Sequence, residues 1–393
     1  MKISFFHDNK MTQKQEGYYS THFKYSVWRR YLKVFENLRV STRIKKDDEG
    51  NMINLARSNG PNVEMSPIHS YKDLKSLVFD YRNVKKEILS NIYQSDAIIV
   101  RMPSTIGVVS LFLNRKVKKP VLVEVVGCIF DSYWYYGTFI PKLLSLPTYL
   151  IHRYYIKNAD FVIYITKDFL QRRYPSKGKT YGAISNVTVD VDKFKSLRRK
   201  KVINPKNFKI GLIGSLNVNY KGHETAFRTV KALKERGYTP VLELVGGGEM
   251  KRWQKLINKL DINENVEYKG YLSAGKDVDN WMKTLDFYIQ PSTSEGHGRA
   301  IVEAISNGCI TFATNIGGIP DSVKNDFLIK KNDYKDLSRK IVEAINNSKY
   351  REKNIEENLK KIYSYKEDLV EEKRTKALND FKNYIKLKKE GQV

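Results

Sequence analysis

The sequence predicts an α/β protein built from parallel sheets and divided into two domains. Three observations carry this. Residues 285–314 read as a strand (Leu285 to Gln290), a polar turn with Gly296 and Gly298, a helix from Arg299 that Gly308 stops, and a second strand (Cys309 to Thr314). Strand, turn, helix, strand is the unit of a parallel sheet. Such units fill two similar halves of the chain, and no shorter repeat interrupts them. Finally, 393 residues that are 41% apolar suffice for two cores of ordinary size.

In chain order, Lys2 to Phe6 reads as the first strand, and His7-Asp8-Asn9 enters a polar loop that holds Gly17. Tyr25 to Leu32 is a helix and Leu38 to Ile44 a strand; Lys45 to Gly50 is a charged turn. Residues 51–70, with Asn, Gly, Pro and Ser, read as loop. A helix over Tyr71 to Tyr93 precedes a strand, Ser95 to Met102, which ends in Pro103-Ser104 before an apolar helix, Ile106 to Leu113. Pro120 to Val126 is the next strand. Cys128 to Leu150 is aromatic-rich, and Leu143 to Ile156 continues apolar with Arg153 and Lys157 at its end. Two readings fit this stretch: a membrane-interface patch, with ring tips among headgroups and cations on anionic lipid, or core packing behind the sheet. A strand (Asp160 to Thr166), an amphipathic helix (Asp168 to Tyr174) and a closing strand and loop (Ile184 to Val189) complete the half. A linker follows at about 195–207, with Arg198-Arg199-Lys200-Lys201.

The second half opens with the strand Phe208 to Ile213. Gly214-Ser215-Leu216 turns toward Lys221-Gly222, and a helix spans Glu224 to Glu235. Glycines here let backbone approach a phosphate closely, and Lys221 offers a point charge. Val241 to Val245 is a strand ending in Gly246-Gly247-Gly248, and Asn265 to Tyr271 is another. Beyond Ile319 come helices at Lys335 to Asn346, from about Glu352, and over Leu369 to Leu387.

The turn before Arg299 is the candidate site. Ligands of parallel sheets sit at the carboxyl ends of strands, and the unpaired amides of a helix N-terminus favour an anion. Glu295 and Glu303 flank this turn, eight positions apart. Residue pattern alone therefore points to a nucleotide or sugar-phosphate pocket. Glu295-Gly296, with Glu303 after seven intervening residues and Pro291-Ser292 before, resembles the signature of family 4 glycosyltransferases. Asn307-Gly308-Cys309 and Gly317-Gly318-Ile319-Pro320-Asp321 continue the likeness, with Asp321 where Glu is usual and His297 where an aromatic or apolar residue is common. Arg299-Ala300 is similar to a polysaccharide-assembly subgroup.

The resemblance implies the GT-B fold: two Rossmann-like domains facing a cleft, with the last helix crossing back to the first. It implies an acceptor domain over about 1–200 with 371–393, and a donor domain over 201–370. It implies a retaining, metal-independent transferase whose substrate is a nucleotide-diphosphate sugar, a UDP-sugar favoured and a GDP-sugar possible, with no cofactor. Lys221, Arg299 and Glu295 then carry the chemistry. Gly214, Ser215, Gly246, Tyr271, Leu272, Gly296, His297, Gly298, Ala300 and Glu303 complete the donor contacts. Ser215 stands at the family's usual Arg, and Arg299 supplies the second cation. Gly17, Arg101, Ser104 and Asp131 are the acceptor-side candidates. Val126 replaces a histidine that many relatives place before Gly127, so Asp131 or backbone atoms take over there.

Formal charge is +27, of which +18 falls on residues 1–200. Such a surface attracts polyanions: nucleic acid, an anionic leaflet or a diphosphate-bearing lipid. No aromatic–basic interleaving marks a nucleic-acid module. The family resemblance implies as partner a glycan or undecaprenyl-diphosphate-linked acceptor at the inner leaflet. A nonspecific polyanion binder remains the non-enzymatic alternative, and a sugar-nucleotide epimerase or glycan phosphorylase the enzymatic one. Cys128 and Cys309 stand far apart in apolar stretches and read as core thiols in a reducing, cytoplasmic setting. No run is long enough to cross a bilayer, and the opening residues read as strand, not as a signal peptide. Asp190-Val191-Asp192 and Asp277-Val278-Asp279 are short of a metal site, since oxygen-rich cation sites need more ligands; the second triplet opens a helix, where Asp caps well.

Overall fold

The computed structural model describes residues 1–46, 55–69, 71, 79–190 and 203–392. The expected cations Arg198-Arg199-Lys200-Lys201, Val191-Asp192, the charged turn at 47–50 and most of the helix start at 70–78 lie outside those residues.

The first sheet has nine strands: β1 (Lys2–Lys14), β2 (Gly17–Ser20), β3 (Asn37–Lys46), β4 (Ala56–Arg57), β5 (Val63–Met65), β6 (Ala97–Met102), β7 (Val121–Val125), β8 (Phe161–Tyr164) and β9 (Lys179–Tyr181). Its order is β4-β2-β1-β6-β7-β8-β9, with β3 and β5 branching from β1. Pairing is parallel except where β2 meets β1 and β4. The second sheet has six strands: β10 (Phe208–Ile213), β11 (Pro240–Val245), β12 (Val266–Tyr268), β13 (Phe287–Gln290), β14 (Ile310–Thr314) and β15 (Leu328–Ile329). Its order is β12-β11-β10-β13-β14-β15, all parallel.

Helices connect the strands. In the first half they are α1 (Tyr25–Leu32), α2 (Tyr81–Tyr93), α3 (Thr105–Val117), α4 (Ile129–Trp134), α5 (Phe139–Lys157) and α6 (Phe169–Arg173). In the second they are α7 (His223–Lys234), α8 (Lys251–Leu260), α9 (Lys276–Thr284), α10 (Arg299–Ser306), α11 (Tyr334–Asn346), α12 (Ser348–Ile362) and α13 (Glu367–Lys389). Central strands such as AIIVRM and FYIQ are buried along their whole length, as parallel strands covered on both faces must be.

Three sequence expectations are revised. β1 does not stop at Phe6. Its register against β3 slips between Phe6 and Lys10, and it runs on into a hairpin with β2. The slip is a bulge, which re-aims His7-Asp8-Asn9 out of the ladder without ending the strand. Residues 184–189 form no strand. β9 closes the sheet instead, and Val189 makes only an isolated bridge to Lys366. The 139–157 helix is not core packing along its length, because Phe139, Ile140, Leu143 and Leu150 are exposed.

The last helix returns to the first sheet. Val370, Ala377, Leu378, Phe381 and Ile385 of α13 share one core with Ile3, Phe5, Leu38 and Ile99. Phe381 sits 5.3 Å from Phe161 and 6.4 Å from Phe35, ring to ring. Edge-on aromatic packing adds to area burial there. Phe381→Ala is expected to cost about 3–5 kcal/mol, seen as a lower urea midpoint.

Candidate active site

β10 and β13 are neighbours at the centre of the second sheet, so the turns that leave them lie side by side. The first turn ends in a short helical turn, Asn219–Lys221, directly before α7. A Cβ at Gly214 would meet the Lys221 stem at 2.8 Å, so the missing side chain makes room for the lysine. Lys221 Nζ reaches Glu295 Oε1 at 2.7 Å. Ser292 Oγ donates to the same carboxylate oxygen at 3.0 Å, Gln290 Nε2 donates to Ser292 Oγ at 2.8 Å, and Tyr288 OH donates to Gln290 Oε1 at 2.6 Å. Tyr288, Gln290 and Ser292 are buried. A line of hydrogen bonds thus runs along one face of β13 and fixes the carboxylate that faces the cleft.

α10 opens at Gly298, which has left-handed backbone, and no side chain caps its first amides. Those amides and the exposed Arg299 give the turn positive potential. Glu295 and Gly296 are held from behind by Gly317 and Gly318. Gly318 N donates to the Gly296 carbonyl at 3.0 Å, and a Cβ on Gly317 (φ +54°) would come within 1.9 Å of the Glu295 carbonyl. Glu303, on the first turns of α10, has its pKa raised by burial, while Arg299 opposes that and favours the carboxylate. His297 is buried, and both ring nitrogens have no hydrogen-bond partner among the described residues. Its ring stands edge-on to Tyr365 at 4.9 Å. Burial, with Arg299 and Lys167 adding, holds its pKa down at about 4, so it is neutral near pH 7.

The first domain supplies the opposite wall, and the cleft between them has a volume of about 720 Å³. A Cβ on Gly296 would be 2.9 Å from the Val126 carbonyl, so the two domains nearly touch at its floor. Lys167 N donates to Asp321 Oδ2 across the same seam at 2.8 Å. Gly214, Ser215, Lys221, Gly246, Tyr271, Leu272, Glu295, Gly296, His297, Gly298, Arg299, Ala300 and Glu303 all line the cleft, together with Arg101 and Val126.

The other acceptor-side candidates lie elsewhere. Gly17 is at the β1–β2 hairpin, against Asn59. Ser104 is spent as the cap of α3, accepting from Gly107 N at 2.9 Å. Asp131 pairs with Arg173 at 3.4 Å and is not on the cleft wall. Arg101 is on the wall, but it is buried and committed to Glu124 at 2.7 Å and to Tyr31 OH at 3.0 Å, between the faces of Phe5 and Phe23. It is neither a surface arginine nor a free anion receptor. In place of these, the β1 bulge presents His7 and Asn9 to the cleft, while Asp8 turns away and accepts from Ile106 N at 2.9 Å. His22 and Arg30 join them. Burial and Arg101 hold His7 at about 3, and burial lowers His22 with Arg299 adding from across the cleft. Both are neutral acceptors or donors. His7 was visible as a polar residue right after the first strand; His22 carried no signal. The triplet at 277–279 sits in the first turn of α9, where Asp279 accepts from Asn307 Nδ2 at 3.1 Å.

Two parallel-sheet domains that enclose a cleft, with cations, helix amides and two carboxylates on one wall, define a GT-B glycosyltransferase. A family model described as glycosyl transferases group 1 matches residues 193–361. Protein CapJ of Staphylococcus aureus is 40% identical over 385 residues, 98% of this chain and 97% of CapJ. The Escherichia coli UDP-Gal:alpha-D-GlcNAc-diphosphoundecaprenol alpha-1,3-galactosyltransferase is 29% identical over 286 residues, 67% of this chain and 68% of that enzyme. Anabaena Alr3699/HepE, solved in complex with UDP-glucose, shares the fold with a TM-score of 0.67 at 17% identity, over 97% of this chain and 100% of that one. The chain belongs to the group 1 glycosyl transferase family.

Two outcomes follow from this geometry. Gly317→Ala strains the backbone and pushes on Glu295; it is expected to destabilise by about 1–3 kcal/mol in thermal unfolding and to weaken whatever the Glu295 turn binds. His297 has a folded pKa near 4 against an ordinary 6.5. The unfolded chain therefore binds the extra proton first, and the stability present above pH 6.5 is lost as pH falls toward 4. In urea titrations over that window, His297→Gln is expected to show a shallower loss than the parent.

Proposed function

We propose that this glycosyltransferase moves a sugar, with retention, from a nucleotide-diphosphate sugar to a glycan or undecaprenyl-diphosphate-linked acceptor in bacterial capsule, exopolysaccharide or O-antigen assembly. The observation that carries the reading is the Lys221–Glu295 pair beside the uncapped amides of α10. A diphosphate leaving group gains negative charge on its bridging oxygen as the anomeric bond breaks. Lys221, Arg299 and the α10 amides meet that charge without needing a bound metal. Glu295, freed from Lys221 as the diphosphate takes over the ammonium, receives the sugar hydroxyls. Glu303 accepts from the ribose hydroxyls, with Arg299 offsetting part of the burial that raises its pKa. Neutral His297 offers one donor and one acceptor to a sugar hydroxyl.

In this mechanism the acceptor oxygen attacks the anomeric carbon from the face the diphosphate leaves. The old carbon–oxygen bond breaks, the new one forms, and a diphosphate oxygen takes the acceptor proton. Val126 stands where an imidazole is common, so the backbone of the Val126–Gly127 turn borders the reacting sugar. A uridine donor is favoured over guanosine, supported by the UDP-glucose complex of HepE. The lipid-linked acceptor is supported by the substrate in the name of the Escherichia coli relative, and a peripheral position at the inner leaflet is the setting such an acceptor calls for.

Lys221→Ala is expected to lower kcat about 100- to 1,000-fold, and Glu303→Ala to abolish the donor's thermal shift. At 100 times its dissociation constant, the right nucleotide sugar should stabilise the parent by about 2.7 kcal/mol; full activity in both variants overturns the assignment. Turnover that EDTA stops and a divalent cation restores would overturn the metal-free chemistry.

A further inference from the structure

Helix α5 is amphipathic in the wrong sense for a soluble surface. It buries Ser145, His152 and Ile156 and turns most of its Leu and Ile side chains outward, with exposures from 78% at Phe139 to 40% at Leu144. Phe112 of α3 and Trp134 and Tyr136 near α4 extend the apolar face. Between α3 and α5 runs an apolar groove of about 590 Å³, lined by Val108, Phe112, Leu150, Ile151 and Tyr154 among others. A patch this continuous marks an interaction surface.

The charges on the same helices identify the occupant. Lys142 and Lys157 lie exposed on α5, where Arg153 is spent on the Arg173 carbonyl at 2.6 Å, and Arg115 and Lys116 lie on the last turn of α3; neither helix contains an acidic residue. Lys142 stands 4.5 Å over the Trp134 ring, an aromatic–cation pairing suited to a headgroup boundary. Asp131, the acidic residue of α4, is already paired with Arg173. A second copy of the chain, seated by a two-fold axis, would set the cations of α3 and α5 against themselves, and neither helix brings a carboxylate to offset them. An anionic bilayer satisfies both features at once, taking Leu and Ile below the headgroups and matching the cations to phosphate.

We infer that the α3–α5 face docks on an anionic lipid leaflet, with α5 lying in the interface plane and the groove receiving hydrocarbon chains. The inference deepens the proposed function, resting on its lipid-linked acceptor only for the biological setting. The test is independent of turnover. The full chain is sedimented with vesicles of phosphatidylcholine and phosphatidylglycerol, and with phosphatidylcholine alone. The parent is expected to pellet with the anionic vesicles, less so as salt rises. Leu143→Glu with Leu150→Glu, both at exposed positions, should lose about ten-fold or more of that binding while keeping the parent's melting temperature and its thermal shift with UDP. The docking face is overturned by a parent that ignores anionic vesicles or by a variant that binds them equally. It is also overturned by a parent that is dimeric in light scattering and becomes monomeric in the variant. A parent that binds vesicles but shows no shift with UDP or any nucleotide sugar would instead sink the donor reading and leave the docking face standing.

Discussion

One buried hydrogen-bonded line governs the second domain: Tyr288, Gln290, Ser292, Glu295 and Lys221. It stitches two adjacent strand-to-helix turns together at the point where both face the cleft. An ion pair on a flexible surface would contribute little. Here the carboxylate is mostly buried, and a satisfied chain of donors holds it from behind, so its position is set before any ligand arrives. Preorganisation of this kind is what electrostatic catalysis needs, since dipoles already in place cost nothing to orient when charge develops. The glycines around it are the steric counterpart. At 214 the absent side chain gives the lysine stem its path, and at 317 it lets one loop lie directly against the next.

The first domain answers with a different strategy. Its cleft wall is built on Arg101, Glu124 and Tyr31, a buried and mutually satisfied set. Breaking such a set is costly because one charge is left alone in an apolar setting. The group therefore acts as scaffold. The adaptable part of that wall is the β1 bulge, where the strand's irregularity turns His7 and Asn9 toward the cleft and uses Asp8 to anchor α3. The two walls differ in kind: one carries Lys221 and Arg299 beside the α10 amides, and the other sets His7, Asn9 and His22 beside Arg30.

How much of this the sequence disclosed varied with how local the chemistry was. The Glu295–Glu303 turn was legible because strand, glycine turn and helix are written in thirty consecutive residues. Arg101 was misjudged because its partner lies on another strand. Arg101 and Glu124 are register partners across β6 and β7, and strand pairing is not written in either segment alone. A signal was present, in that each is a lone charge in the middle of an apolar strand, and of opposite sign. The β1 hairpin was missed because a bulge looks like a strand end in a short window. The 139–157 helix was ambiguous since Leu, Ile and Tyr occur all round it; the burial of Ser145, His152 and Ile156 tells which side faces inward.

The returning helix α13 has a further meaning for how the chain comes to be. Its apolar stripe completes the core under β1, β3 and β6, yet in the chain it follows the whole second sheet. The first domain's core thus lacks one flank until the second domain, which precedes α13 in the chain, has been synthesised. Division of the polypeptide at the inter-domain linker would leave that flank bare. The order in which the segments are written along the chain is therefore not the order in which its two cores can close.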